Sequence, residues 1–232
     1  MKMEFVLKEQ FSKIAYIIAI ILFGAVVNYF TWTKDGERTN NLLFLFIITV
    51  VLLYLPLLLF TRYTDWAVKE FGFILNGATL AISGVLIFLG LFVSMTWFPI
   101  DFLSSALVVV GLVGEELFFR GFVYALVLRF FTNGSGIAAR LGAVFLSSLA
   151  FALVHTQTFL PDNSDTMWQI FLIALFLAFI RSLSGSILPG IILHIFFNTG
   201  EFASVVLGTA IYGLFVFWSH RRGEVESYTY LD

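Results

Sequence analysis

Long apolar stretches, separated by short polar ones, follow one another along the whole chain. Stretches of about 17 to 25 apolar residues can cross a hydrocarbon core of about 30 Å as helices. We read eight such spans, the sixth of them short, at residues 14–31, 42–60, 77–98, 103–128, 138–155, 167–180, 186–200 and 202–218. The pattern predicts an all-α fold, a polytopic integral membrane helical bundle with about eight transmembrane helices.

Three connections carry further expectations. Segment 61–76 interleaves charged and aromatic residues, which predicts an interfacial helix with aromatic anchors or a solvated loop. Pro189 and Gly190 fall inside the seventh apolar run and predict a kink about one turn before His194. The last two spans are separated only by Thr199-Gly200-Glu201, so they form either a hairpin or one broken helix.

The composition supports a membrane protein and narrows its chemistry. Hydrophobic residues make up 60% of the chain and charged residues 12%, against roughly 25% charged in soluble domains. The absence of cysteine excludes a disulfide, a thiolate metal site and a cysteine nucleophile. A formal net charge of −2 gives no reason to expect nucleic acid as a partner.

The distribution of positive charge predicts the orientation in the bilayer. With a cytoplasmic amino terminus, the outer segments hold only Lys34 and Arg38. The inner segments hold ten basic residues: Lys2, Lys8, Lys13, Arg62, Lys69, Arg129, Arg140, Arg181, Arg221 and Arg222. Because short cytoplasmic loops are enriched in Lys and Arg, we expect a multi-pass protein of the cell membrane with both termini cytoplasmic. One integral membrane domain is predicted to fill residues 1–232.

An acid pair and an arginine interrupt the fourth apolar span. Glu115, Glu116 and Arg120 are its only charges between residues 103 and 128, and each such ion costs about 2.5 to 3.5 kcal/mol at a helix centre. Glu116 and Arg120 are spaced i, i+4, so they can form an ion pair. Glu115 lacks such a partner and is the better candidate to accept a proton. Ionisable groups at membrane depth indicate a functional site.

Three more polar residues accompany the acid pair. His155 ends the fifth span, while His194 lies within the seventh span with Asn198 one turn later. His220 follows the last span beside two arginines, and an interfacial position explains it. A lone histidine on an apolar helix is usually a satisfied core residue. Here each polar group needs partners that lipid cannot supply, so we expect convergence in one cavity.

This set of residue types is sufficient to hydrolyse an amide without a covalent intermediate. A glutamate with a histidine can hold and deprotonate a water, and a histidine with an asparagine can stabilise an oxyanion. Glutamate and histidine also bind divalent metals such as zinc. The His-Glu-x-x-His motif of metalloproteases is missing.

Three motifs together resemble those of a known family. They are Glu115-Glu116-x-x-x-Arg120, Phe151-x-x-x-His155 and His194-x-x-x-Asn198. Their order and spacing resemble the CPBP family of intramembrane glutamic endopeptidases, also called the type II CAAX prenyl endopeptidase or Abi, bacteriocin-processing family. The resemblance covers residues of about 103–200.

The resemblance implies an α-helical membrane protease. Glu115 would activate water, with His155 helping to position it. His194 and Asn198 would stabilise the oxyanion, and Glu116 and Arg120 would be a supporting ion pair. No cofactor is implied, with a divalent metal as the alternative. The implied partners are the lipid bilayer and a peptide or protein substrate, with a lipidated or membrane-embedded substrate as one option.

Two functions from other classes compete with this one. The first is a non-catalytic membrane scaffold or bacteriocin-immunity factor that keeps the residues for structure or binding. The second is a transporter with a proton-coupled carboxylate, because buried Glu and His residues also form proton relays. Transporters tend to show internal repeats, and we find none in this sequence.

Overall fold

The structure is a computed structural model that describes residues 18, 47, 50–55, 68–94, 102–132, 136–155, 164–199 and 202–221. Every regular element within these ranges is a helix, and they contain no strand. The all-α prediction is therefore confirmed for this part of the chain. The first two predicted spans lie largely outside the described residues.

The main helices follow the predicted third to eighth spans. They are α1 (Gly77–Ser94), α2 (Phe102–Glu115), a π-helix (Glu116–Val123), α3 (Tyr124–Thr132), α4 (Ile137–Val154), α5 (Ser164–Ser184), α6 (Leu188–Thr199) and α7 (Phe202–Arg221). Two short helical segments precede α1, at Val50–Tyr54 and Val68–Phe71. Helix α2, the π-helix and α3 follow one another without a break, so the charged motif lies in the middle of one long helical rod.

The surfaces of these helices suit an apolar environment. Among the described residues, Ile137–Val154 and Met167–Ser184 are each 18 residues long and apolar enough to cross a membrane. Large apolar side chains point outward from several helices, including Phe88 on α1, Trp168 on α5 and Leu214 on α7. Exposed large apolar side chains on several helices are expected where lipid, and not water, surrounds a bundle.

The predicted interfacial helix is wrong for the described part of segment 61–76. Only Val68–Phe71 is helical, as one 3₁₀ turn, and a turn and a stretch without regular secondary structure follow it. Phe71 and Phe73, which we expected to anchor at the membrane surface, are buried in the core. Gly72 has a φ of +88°, where glycine is favoured, and a Cβ there would collide with the side chain of Arg181.

Hydrogen bonds from residues distant in the sequence hold this irregular stretch inside the bundle. The Tyr212 hydroxyl donates to the carbonyl oxygens of Gly72 and Ile74, at 3.3 and 2.9 Å. The Ile187 amide also donates to the Gly72 carbonyl, at 3.1 Å. Irregular backbone is tolerated at membrane depth where it is buried in protein. The periodicity of the segment could not predict this, because the partners come from α7 and from the residue just before α6.

The predicted kink at Pro189 is wrong as well. Gly185, with a φ of +71°, follows the end of α5, and α6 begins at Leu188. The Ser186 hydroxyl caps the new helix by accepting a hydrogen bond from the Leu188 amide, at 3.2 Å. Pro189 therefore lies in the first turn of α6, where its missing N–H has no intrahelical partner to lose.

Helices α6 and α7 form a hairpin and not one broken helix. Gly208 on α7 lies against Ile191 and Ile195 on α6, so closely that a Cβ on Gly208 would collide with Ile195. Farther from the connection, the Ser186 and Tyr212 hydroxyls are hydrogen-bonded at 2.9 Å. The close contact along both helices positions α6, which carries His194, against the central rod.

Candidate active site

The acid pair lies at the junction between an α-helix and a π-helix. Glu115 is the last residue of α2, and Glu116 is the first of the π-helix. At the other end of this wider segment, the Tyr124 amide reaches back to the Phe119 carbonyl, five residues earlier. Short π segments occur frequently at functional sites. All eight residues of this one are buried, including its two charged members.

Glu116 is the centre of a buried polar cluster. One carboxylate oxygen, Oε1, lies 3.0 Å from Arg120 Nη1 and 2.9 Å from His194 Nδ1. The side chains of Glu116 and Arg120 are both fully buried. The i, i+4 spacing in the sequence indicated the contact between Glu116 and Arg120. It did not indicate that His194 joins them. Because His194 is 78 residues from Glu116, only the packing of α6 could reveal it.

A glycine permits the close approach of α6. A Cβ on Gly190 would lie 2.8 Å from Glu116 Oε2, which is inside van der Waals contact. Any larger side chain would therefore displace either the carboxylate or the helix. Sequence reasoning treated Gly190 as part of a kink and missed this role. The sequence did contain one signal for this role, because Gly190 lies one helical turn before His194, a histidine in the middle of an apolar span.

The imidazole of His194 lies between the two acids. Its Nδ1 contacts Glu116, and its Nε2 lies 3.9 Å from Glu115 Oε2. The Nδ1 nitrogen must carry a hydrogen to donate to an ionised Glu116. The separation at Nε2 is too long for a direct hydrogen bond, but one water or substrate oxygen can contact both atoms.

Exposure divides the cluster into a buried half and an accessible half. The Glu115 side chain is 28% exposed, the His194 side chain 8%, and the Glu116 side chain 0%. Glu116 and Arg120 are therefore sealed from any substrate. Glu115 is the more accessible acid of the two, with His194 Nε2 3.9 Å away.

His155 is joined to this cluster through Phe151. His155 directly follows α4, and its Nδ1 lies 2.8 Å from the Phe151 carbonyl oxygen. Its ring packs on the Phe151 ring at a centroid distance of 4.4 Å, while the His194 ring contacts the same phenyl at 5.9 Å. The sequence placed His155 at a span end and His194 in mid-span, and this shared phenyl shows how the two come near each other.

Asn198 is less closely integrated. Its side chain is exposed, and its Nδ2 donates to the His194 carbonyl oxygen at 3.0 Å. This hydrogen bond lies within α6 and uses one of the two amide hydrogens. Asn198 is therefore more accessible than the buried residues of the cluster.

The potential metal donors of the described residues are not arranged as a zinc site. Within the described ranges, no group of three or more His, Asp or Glu side chains is arranged to hold a metal ion. His194 Nδ1 is engaged by Glu116, which leaves Nε2 and Glu115 as a pair. Catalytic zinc needs three protein ligands, so the described residues do not fit such an ion.

The helical fold, its outward apolar surface and its polar cluster together define a helical membrane protein with an ionisable site inside the bundle. A family model, described as Type II CAAX prenyl endopeptidase Rce1-like, matches residues 95–200. This segment contains α2 to α6 and all of the candidate site residues. This segment is therefore similar to a family of membrane proteases, and the match confirms the resemblance seen in the three motifs. A search of curated proteins and a search of solved structures found no match to the chain.

Proposed function

We propose that this protein is an intramembrane endopeptidase that hydrolyses a peptide bond by direct attack of a water activated by Glu115. The observation that carries the proposal is the His194 imidazole, which lies between a fully buried carboxylate and a partly exposed one. The buried acid can fix the orientation of the ring, while the exposed acid faces the substrate. The family match adds support for peptide hydrolysis as the reaction.

The first step is attack on the carbonyl carbon. The Glu115 carboxylate takes a proton from water as the water oxygen bonds to carbon. His194 Nε2–H and the second amide hydrogen of Asn198 donate to the oxyanion that forms. In the second step, Glu115 returns the proton to the amide nitrogen and the C–N bond breaks. The products are a free carboxyl group and a free amine.

His194 needs a hydrogen on both ring nitrogens for this role, because Nδ1–H is already donated to Glu116. We propose that the mechanism uses His194 in this form.

His155 contributes from the α4 side. If its Nδ1–H donates to the Phe151 carbonyl, its Nε2 is left as an acceptor. We propose that this acceptor holds the second hydrogen of the attacking water. We propose this positioning role for His155 and assign no covalent step to it.

The membrane setting limits the substrate class. We propose about eight transmembrane helices in the cell membrane, with both termini cytoplasmic, on the basis of the apolar spans and the positive-charge bias. Such a site is suited to a peptide or protein that approaches through or along the bilayer. A prenylated carboxyl terminus, as the family description indicates, and a peptide precursor are the two substrate types that we propose.

Incubation of the purified full chain in lipid nanodiscs with a farnesylated CAAX peptide tests this function. We expect release of the residues that follow the modified cysteine, detected by mass spectrometry. The same peptide without the lipid, and an unmodified bacteriocin-type precursor, are assayed alongside to separate the two substrate types. No cleavage of any of the three peptides would contradict the proposal.

A chelator titration in the same assay tests the metal alternative. We expect the rate to survive saturating 1,10-phenanthroline, because the proposed mechanism uses only side chains of the protein to activate water and stabilise charge. A rate that falls with chelator and returns with added zinc would contradict metal-free catalysis and leave peptide hydrolysis itself standing.

A further inference from the structure

One phenyl ring contacts three polar residues of the candidate site. Phe151 on α4 is 4% exposed. The guanidinium carbon of Arg120 lies 4.1 Å from its ring centroid. The rings of His155 and His194 lie 4.4 and 5.9 Å from the same centroid, tilted and edge-on respectively. Residues from the π-helix, from the end of α4 and from α6 therefore meet on a single apolar side chain.

Arg120 depends on this ring more than a solvated arginine would. Its side chain is fully buried, and within the described part of the chain its three nitrogens have no partner in hydrogen-bond geometry. Its closest compensating groups are the Glu116 carboxylate, at 3.0 Å, and the face of Phe151. Cation–π attraction is strongest when the cation is desolvated, so the ring helps to hold the guanidinium in place.

His155 is fixed by the same residue in two ways. The Phe151 carbonyl oxygen lies 2.8 Å from His155 Nδ1, and the phenyl ring packs on the imidazole. The carbonyl selects which ring nitrogen carries the hydrogen, and the phenyl limits rotation of the ring. The edge-on contact with His194 then relates the two imidazoles to each other.

We propose that Phe151 is a positioning residue for catalysis, which sets the relative orientation of His155 and His194 while it anchors Arg120 beneath them. The residue touches no reacting atom and acts through these side chains. The catalytic part of this inference rests on the proposed peptidase function. The arrangement of the three contacts does not depend on that function.

Three variants separate the ring's aromatic face from its bulk. Phe151→Leu keeps apolar volume but removes the π face and the flat surface under the imidazoles. Phe151→Tyr keeps the face and is the conservative rescue. Phe145→Leu makes the same substitution on the same helix, at a ring that is half exposed and packs edge-on against Phe171, and serves as the matched control.

The kinetic arm measures kcat and KM for the farnesylated peptide. We expect Phe151→Leu to lower kcat by about tenfold, because small misplacements of catalytic groups are costly, with KM unchanged. Phe151→Tyr should restore most of the rate, and Phe145→Leu should match the parent. In a His155→Ala background, Phe151→Leu should cost much less than it does alone. Fully additive losses, or a leucine variant as fast as the parent, would overturn the positioning role.

The spectroscopic arm needs no activity. The chain has three histidines, so ring-labelled histidine gives three sets of imidazole signals by NMR. Phe151→Leu should shift the signals of His155 and His194 and leave His220, near the end of α7, in place. Phe145→Leu should shift none of them. Unchanged His155 and His194 signals would overturn the contact arrangement. If Phe151→Leu shifts the His155 and His194 signals but the parent protein cleaves no peptide, the contact arrangement would be supported and the catalytic role of Phe151 overturned.

Discussion

Glu115→Gln is expected to abolish peptide cleavage while the fold survives. The amide has nearly the same shape as the carboxylate but cannot accept a proton from water. Loss of a general base of this kind costs about 10³-fold in rate. The Glu115 side chain is 28% exposed and lies 3.9 Å from His194 Nε2, so its replacement leaves no sealed charge without a partner. Cleavage rate and thermal unfolding, both measured on the purified variant in nanodiscs, check the two halves of this expectation.

The next residue supplies the comparison for that experiment. Glu116→Gln is the same chemical change one position later, on an acid that is fully buried. If Glu115 is the base, the variant at 115 loses activity at parental stability, and the variant at 116 loses stability. Cleavage at the parental rate by Glu115→Gln would contradict the mechanism. The mechanism would also be contradicted if the Glu115→Gln variant lost activity only because it lost folded protein.

Glu116→Gln is expected to lower the free energy of unfolding by about 3 to 5 kcal/mol, because it leaves a buried cation without its countercharge. Arg120 Nη1 lies 3.0 Å from Glu116 Oε1, and neither side chain is accessible. The glutamine can still accept from His194 Nδ1, which is 2.9 Å from the same oxygen. The decrease in the free energy of unfolding therefore comes mainly from the unpaired charge of Arg120. Reversible unfolding in mixed detergent micelles measures it.

A double variant provides the control for the charge argument. Arg120→Met alone leaves the Glu116 carboxylate sealed with only His194 beside it, so it should also destabilise. Glu116→Gln with Arg120→Met removes both charges, and the combined loss should be clearly smaller than the sum of the two single losses. Additive losses, or single variants as stable as the parent, would mean that these two residues do not form an energetically coupled pair.

Much of the helical architecture could be predicted because it follows from hydrophobicity alone. The spans predicted at 77–98, 138–155 and 202–218 correspond to α1, α4 and α7 within a few residues at most ends. The failures came where distant partners decide local structure. Phe71 and Phe73 enter the core because Tyr212 and Ile187 satisfy the backbone between and after them, and no local pattern contains that information.

The candidate site divides in the same way. The i, i+4 spacing of Glu116 and Arg120 was visible in the sequence, as was the solitary position of Glu115. The contact of Glu116 with His194 was not, because it requires α6 to lie against the π-helix at Gly190. The π-helix itself cannot be seen in a hydrophobic pattern that is apolar on all sides. Phe151 was recognised in a motif, and only its contacts suggest what the ring does.

The most direct test of direct attack by water is cleavage of the farnesylated peptide by the parent protein in the presence of hydroxylamine. An acyl-enzyme would be intercepted and would give a hydroxamate at the new carboxyl terminus, whereas direct hydrolysis gives only the free acid. We predict that mass spectrometry of the amino-terminal product finds the acid alone at every hydroxylamine concentration. A hydroxamate that increases with hydroxylamine and needs active protein would contradict the mechanism.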